Sequence, residues 1–375
     1  MAVRTASRET TALPEGARRP DRKISPYKWW AGVGVFFLAV QAYAFTSWIA
    51  AGEATPTPSG ASPVPTFMRV AEPLLVTFGL VATVGIVYWF LVRPWRRTGR
   101  IGLDGWLLLA CLSLYWLDPL LNYFTTWTTF NSSYLNFGSW GPHIPGWYSP
   151  NGQFLPEPLI IEGPVYVWAI FFPIIPANYA MRKAKERWPQ MGKFGVAAVC
   201  YVFFVIFDSM LEPALMFLTG YFSYPGAIKG LTLFSGRYYQ FPVYEAVFGG
   251  ICYTGWACIR YFRNDRGETF ADRGLTESAR SPRQQSGLRF LSLVGVVNVI
   301  YLAYFVPMIV MSLYSDPWPK DILERSYYRS NMCGPGTTYA CPGPALPNPR
   351  PGSARVGPDG SLIKAGTPGL DGSSE

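Results

Sequence analysis

Seven stretches of this chain stay apolar for about the 20 residues that a helix needs to cross a bilayer, and this limits the fold more than any other feature. They run from Trp29 to Ala50, Val70 to Val92, Ile101 to Tyr123, Leu159 to Tyr179, Phe194 to Leu218, Phe241 to Tyr261 and Leu288 to Leu313. Amides inside lipid must be paired within their own segment, so each run reads as a helix. The glycines and prolines inside them are tolerated where neighbouring groups satisfy the backbone. Charged residues are 15% of the chain, against roughly 25% in soluble domains. The expected class is an all-α integral membrane protein, a bundle of about seven transmembrane helices. The first run follows seven Lys and Arg in residues 1–28, and its apolar core exceeds the roughly 7–15 residues of a signal-peptide core. It reads as a retained helix.

The distribution of basic residues orients the bundle. Segments 1–28, 93–101, 180–193 and 260–289 hold seven, four, five and seven Lys or Arg, whereas 51–68, 124–158 and 220–240 hold zero, zero and two. Positive charge on alternate loops marks the cytoplasmic side, which places the N-terminus in the cytoplasm and the C-terminus outside, in a cell membrane crossed several times. The net charge of +9 is then accounted for by attraction to anionic inner-leaflet lipid, and no nucleic-acid partner is expected.

The organisation follows. Residues 1–27 read as a disordered basic cytoplasmic arm, 28–314 as the transmembrane domain, 315–345 as an outer C-terminal segment and 346–375 as a disordered Pro/Gly-rich tail. The outer loop 124–158 is dense in aromatics with polar handles, which favour the membrane interface; it reads as a lid over the bundle. Asn131-Ser132-Ser133 matches a glycan acceptor pattern. Cys333 and Cys341 fall on the outer side, where a local disulfide can persist, and a bond between them is expected. One histidine and no CxxC pair argue against zinc, haem or iron–sulfur centres; no metal site and no organic cofactor are expected. Nucleotide-binding loops and a GxSxG elbow are also missing from the sequence.

Acids in the apolar runs carry the functional signal, because an ionisable group in hydrocarbon normally faces a cavity or a partner. Glu72, Asp118, Glu162, Asp208, Glu212 and Glu245 all fall in the outer leaflet once alternate helix directions are applied. Asp118 and Asn122, and likewise Asp208 and Glu212, are four residues apart and share a face if their segments are α-helical. Asp118 and Glu212 each precede a proline, an irregularity tolerable where a helix lines a cavity. The competing bland roles are interfacial or dipole-complementing acids for Glu72, Glu162 and Glu245, and a loop-fixing hydrogen bond for the lone His143. Paired carboxyls in an apolar pocket supply a proton donor beside an acceptor, as general acid–base chemistry requires.

The runs YWLDPLLNYF (115–124), NFGSWGPHIPGW (136–147) and FDSMLEP (207–213) resemble those of the actinobacterial AveC-like spirocyclase family, over about residues 27 to 330. The resemblance implies a cofactor-independent membrane cyclase that closes spiroketals, or dehydrates them, on an oxygenated polyketide or isoprenoid lipid. In that chemistry Asp118, Asp208 and Glu212 are the expected catalytic carboxyls. Asn122, Tyr123 and His143 are expected to orient substrate oxygens, and Trp116, Tyr134 and Trp140 to shield a cationic centre through their ring faces. Glu72, Glu162 and Glu245 complete the substrate-binding set. The expected partners are the bilayer and a hydrophobic small molecule or lipid, with a homo-oligomer left open. A proton-coupled transporter or a non-catalytic lipid-binding protein is the alternative.

The charge alternation makes a prediction for intact cells. A membrane-impermeant thiol reagent should reach cysteines introduced in 51–68, 124–158 and 331–345 but not in 180–193, and cytoplasmic labelling of 124–158 would reverse the orientation.

Overall fold

The computed structural model describes residues 25–334, 337, 339–341, 355–356 and 361–363. The expected arm 1–27 lies outside the described residues up to position 24, and so does the expected tail 346–375 apart from the two short pieces just named. Among the described residues seven long helical segments follow one another: α1 Pro26–Ala50, α2 Thr66–Thr98, α3 Leu103–Asn122, α4 Leu159–Arg187, α5 Lys193–Thr219, α6 Val243–Tyr261 and α7 Pro282–Ser312. All but α6 are long and apolar enough to cross a membrane, which makes six such helices among the described residues. Glu245, Arg260 and three glycines among its 19 residues keep α6 short of that apolar character.

Why lipid is the solvent is plain on α2. Val70, Leu74, Phe78, Val81 and Val84 are all exposed, and their spacing of three and four residues lays them along one stripe. A contiguous apolar stripe of this kind is a liability in water and a requirement in hydrocarbon. Several polar interior groups are meanwhile paired within the bundle. Buried Asn298 of α7 accepts from Trp116 Nε1 at 3.0 Å and donates to Ser113 Oγ at 3.0 Å. Arg260 at the end of α6 makes a two-pronged ion pair with Asp104 at the start of α3, at 2.8 and 2.9 Å, and donates to Asn178 of α4 at 2.9 Å. That cluster ties three helices together at one end of the bundle.

Three of the described helices depart from regular geometry, each beside a proline; α2 is π-helical over Tyr88–Val92, just before Pro94. The last part of α3, Tyr115–Asn122, is a 3-10 helix containing Pro119, whose ring nitrogen has no hydrogen to donate. With three residues per turn, Asp118 and Asn122 do not stack one above the other, so the shared face expected from α-helical spacing is not how they meet. α4 passes through a π-helical stretch, Tyr166–Phe171, just after Pro164.

The segment 124–158 folds back onto the bundle. Thr129–Phe130 pairs antiparallel with Phe222–Ser223, and Phe137–Gly138 with Pro156–Glu157. Trp140 is fully buried against Phe45, Trp48 and Tyr115, which anchors the segment on α1 and α3. Asn131 is buried, donating to Gly220 O at 3.0 Å and accepting from Ser133 N at 3.0 Å; there is no room for a glycan, so the acceptor pattern is not used in this fold. Beyond α7, Lys320–Leu323 and Ser326–Arg329 are short helices, and Cys333 and Cys341 are joined by a disulfide.

α1 and α7 approach so closely that only glycine fits at two crossing points. A Cβ on Gly34 would lie 2.0 Å from Leu291 O, and one on Gly295 would lie 2.2 Å from Trp30 O. The obstacles are backbone atoms, which cannot swing aside. Gly295→Leu should therefore force the pair apart and cost about 1–3 kcal/mol or more, read as a lower melting temperature in detergent. Gly32→Leu, where a Cβ meets nothing within 4 Å, should leave it nearly unchanged; equal effects would show that the contact does not hold the helices.

Candidate functional site

One cavity lies at the end of the bundle where 124–158 joins α3 to α4. The space within it open to the centres of water-sized molecules is about 130 Å³, against roughly 10–15 Å³ for a single water on that measure. Six carboxyl groups line it: Asp118 from α3, Glu157 from the lid, Glu162 from α4, Asp208 and Glu212 from α5, and Glu245 from α6. No Lys, Arg or His lines it among the described residues. Lid residues Thr128, Thr129, Phe130, Leu155 and Pro156 form part of the wall, and Tyr166, Tyr253, Trp168, Trp256, Tyr301 and Tyr304 add aromatic surface.

An acid removed from water needs a donor, and here tyrosine hydroxyls supply nearly all of them. Asp118 Oδ1 accepts from Tyr166 and, at 3.1 Å, from Tyr301, while those two hydroxyls lie 2.9 Å apart. Glu162 Oε2 accepts from Tyr221 at 2.5 Å, Glu212 Oε2 from Tyr224, and Glu245 Oε1 from Tyr304 at 2.7 Å. Glu157 Oε1 accepts from Ser139 Oγ at 2.9 Å and Oε2 from Tyr115 at 3.4 Å. Asp208 stands apart: it is 2% exposed, and its Oδ2 has no hydrogen-bond partner among the described residues, as is true of Glu245 Oε2.

Five of the six acids singled out in the apolar runs are thus brought to one place, with α5 and α6 presenting theirs side by side. Asn122 also reaches the wall, but its Oδ1 accepts from Trp127 N at 2.8 Å and Thr128 N at 3.1 Å, which turns the chain from α3 into the lid. The rest of the expected substrate-binding set lies away from the cavity wall. Glu72 Oε1 holds the lid by accepting from Leu135 N at 2.6 Å. Tyr134 donates to Thr219 O at 2.5 Å, Tyr123 to Gly146 O at 2.9 Å and Trp140 Nε1 to Trp116 O at 2.8 Å. Trp116 is spent on Asn298, and His143 Nε2 lies 2.9 Å from Glu53 Oε2. These side chains secure the lid and the crossing of α3 with its neighbours, through partners distant in sequence.

Sequence reasoning missed Glu157 and the tyrosines. Glu157 is the one acid in the lid, but nothing in the sequence turns it inward. Tyr166, Tyr301 and Tyr304 carried a usable signal: a phenol deep in an apolar run needs a polar partner, and the last two are one turn apart on α7.

A family model described as "Spirocyclase AveC-like" matches residues 95–328. No curated protein and no solved structure matches the chain. The matched span contains every carboxyl and every tyrosine that lines the cavity.

Glu157 lies outside the membrane-spanning helices, and its titration can be read from stability. Burial holds its carboxyl well above the ordinary glutamate value of 4.5, and the charges of Asp118 and Glu162 push the same way; the bonds from Ser139 and Tyr115 oppose them. The folded protein then keeps a proton that the unfolded chain releases above about pH 4.5, so stability falls as pH rises through that window. Glu157→Gln should show a shallower decline of melting temperature between about pH 5 and pH 8 than the parent. Parallel declines in the two proteins would mean that Glu157 does not titrate in that range.

Proposed function

The chain belongs to the AveC-like spirocyclase family, and we propose that it is a membrane-embedded cyclase working by general acid–base transfer between carboxyl groups of one cavity. The observation that carries this reading is the concentration of six carboxyls in an aromatic cavity without a lining cation among the described residues. Its substrate is an oxygenated, hydrophobic polyketide or isoprenoid, which enters through a domain whose helices are already in lipid. The bundle crosses the membrane seven times with the N-terminus in the cytoplasm, as the charge alternation requires, with the cavity in the outer leaflet beneath the lid.

Spiroketal closure from a dihydroxy-ketone loses one water and changes no oxidation state, so proton transfers are what the protein must supply. Asp118 is the donor: held by two tyrosine hydroxyls, its carboxyl gives a proton to the carbonyl or hemiketal oxygen, and water leaves. Asp208 and Glu212 are the acceptors that take the proton of the attacking hydroxyl. The faces of Tyr253, Tyr301 and Trp256 line the same space and stabilise the oxocarbenium centre between those steps through their ring electrons. If no second hydroxyl is in reach, the same donor and acceptor remove water to give an alkene, which is dehydration. At the far end of the bundle the Arg260–Asp104–Asn178 cluster supports a site served from one side rather than the two-gated path of a transporter.

Neutral isosteres separate chemistry from folding. Asp118→Asn, Asp208→Asn and Glu212→Gln keep size and lose the titratable proton. At least one should lower turnover about 10²-fold or more while expression and ligand binding stay near the parent level. The assay takes as substrate the metabolite that copurifies with the protein, identified by mass spectrometry. Full turnover in all three variants would remove these acids from the reaction.

A further inference from the structure

We propose that Asp208, Glu212 and Glu245 form a binding site for one hard divalent cation of the Mg²⁺, Mn²⁺ or Ca²⁺ class. One carboxylate oxygen from each residue lies within 4.8 Å of the others, close to the span of two metal–oxygen bonds of roughly 2.4 Å. The three ligands come from two packed helices, α5 and α6, so the folded bundle sets their separation.

What points to a ligand is the state of the oxygens. Asp208 is 2% and Glu245 5% exposed, yet Asp208 Oδ2 and Glu245 Oε2 have no hydrogen-bond partner among the described residues. Tyr224 and Tyr304 occupy one oxygen each of Glu212 and Glu245, which leaves the second oxygen of each free of them. Buried acceptors without a donor cost free energy, and three carboxylates with no neighbouring basic side chain compound that cost. A shared proton would join Asp208 and Glu245 alone, whereas one cation engages all three carboxylates.

Gly249 of α6 keeps the space open. A Cβ there would lie 3.2 Å from Glu245 Oε1 and 3.7 Å from Asp208 Oδ2. The donor set is all oxygen, which suits hard cations. The scarcity of His and Cys, from which no metal site was expected, speaks only against soft-ligand metals. A cation held here would supply a Lewis acid at this end of the cavity.

The test is direct and needs no substrate, so its failure would leave the cyclase reading standing, and failure of that reading would leave the site. Full-length protein in nanodiscs of zwitterionic lipid is treated with chelator and titrated with Mn²⁺, binding being followed by loss of the free-ion electron paramagnetic resonance signal. The parent should bind one Mn²⁺ per chain, displaceable by Mg²⁺ or Ca²⁺. Asp208→Asn and Glu245→Gln should bind at least tenfold more weakly, and Asp118→Asn, across the cavity, should bind as the parent does. Gly249→Ala retains every carboxyl and should also weaken binding, which keeps the test decisive if an acid variant fails to fold. No Mn²⁺ bound by the folded parent would overturn the proposal in favour of a shared proton, and equal binding by the parent, Asp208→Asn and Glu245→Gln would place any bound Mn²⁺ elsewhere.

Discussion

A carboxyl group taken out of water has to find its hydrogen-bond donors inside the protein, and most of what is distinctive in this bundle serves that need. Lipid offers no donors, and no basic side chain lines the cavity among the described residues. Tyrosine is the side chain that meets both demands, since its ring packs as an apolar body and its hydroxyl reaches a polar partner. Tyr166 and Tyr301 serve Asp118, Tyr221 serves Glu162, Tyr224 serves Glu212 and Tyr304 serves Glu245. Their rings simultaneously make the cavity wall, so the groups that make the acids tolerable also shape the space a hydrophobic substrate would occupy.

The donors do not come from one element. Tyr221 and Tyr224 sit in the loop after α5, Tyr166 on α4, and Tyr301 and Tyr304 on α7. The cavity therefore forms only when the lid, the 220–240 loop and the five helices α3 to α7 are docked together. The short strand pair between Thr129–Phe130 and Phe222–Ser223 aligns the two loops. The close crossing of α1 with α7 at Gly34 and Gly295 settles where α7 stands, and hence where Tyr301 and Tyr304 point.

Backbone irregularity belongs to the same design. The 3-10 turn at Pro119 and the π-helical stretch from Tyr166 lie on facing parts of α3 and α4, where Asp118 meets Tyr166. Regular helices would rotate one of these side chains away, since a change from 3.6 to three residues per turn displaces the direction of each successive Cβ. Asn122 then absorbs the amides of Trp127 and Thr128 freed by the turn into the lid.

Read alone, the sequence determined the solvent and the clustering of acids. Runs of twenty apolar residues have one stable outcome in lipid, and alternation of helix direction carries Asp118, Glu162, Asp208, Glu212 and Glu245 to a common end; the family motifs around Asp118 and Asp208 were legible as well. Tertiary structure alone decided which polar tips face the cavity. Glu72, Tyr134, Trp140 and His143 look like site residues by type and position, but their partners are Leu135 N, Thr219 O, Trp116 O and Glu53, none of which local periodicity can name. The inward turn of Glu157, and which acid each tyrosine serves, became visible only in the fold. A hydrogen bond between residues more than a hundred positions apart, such as Tyr301 to Asp118, depends on how helices pack, and hydropathy records that a segment is buried in the membrane without recording which neighbour it touches there.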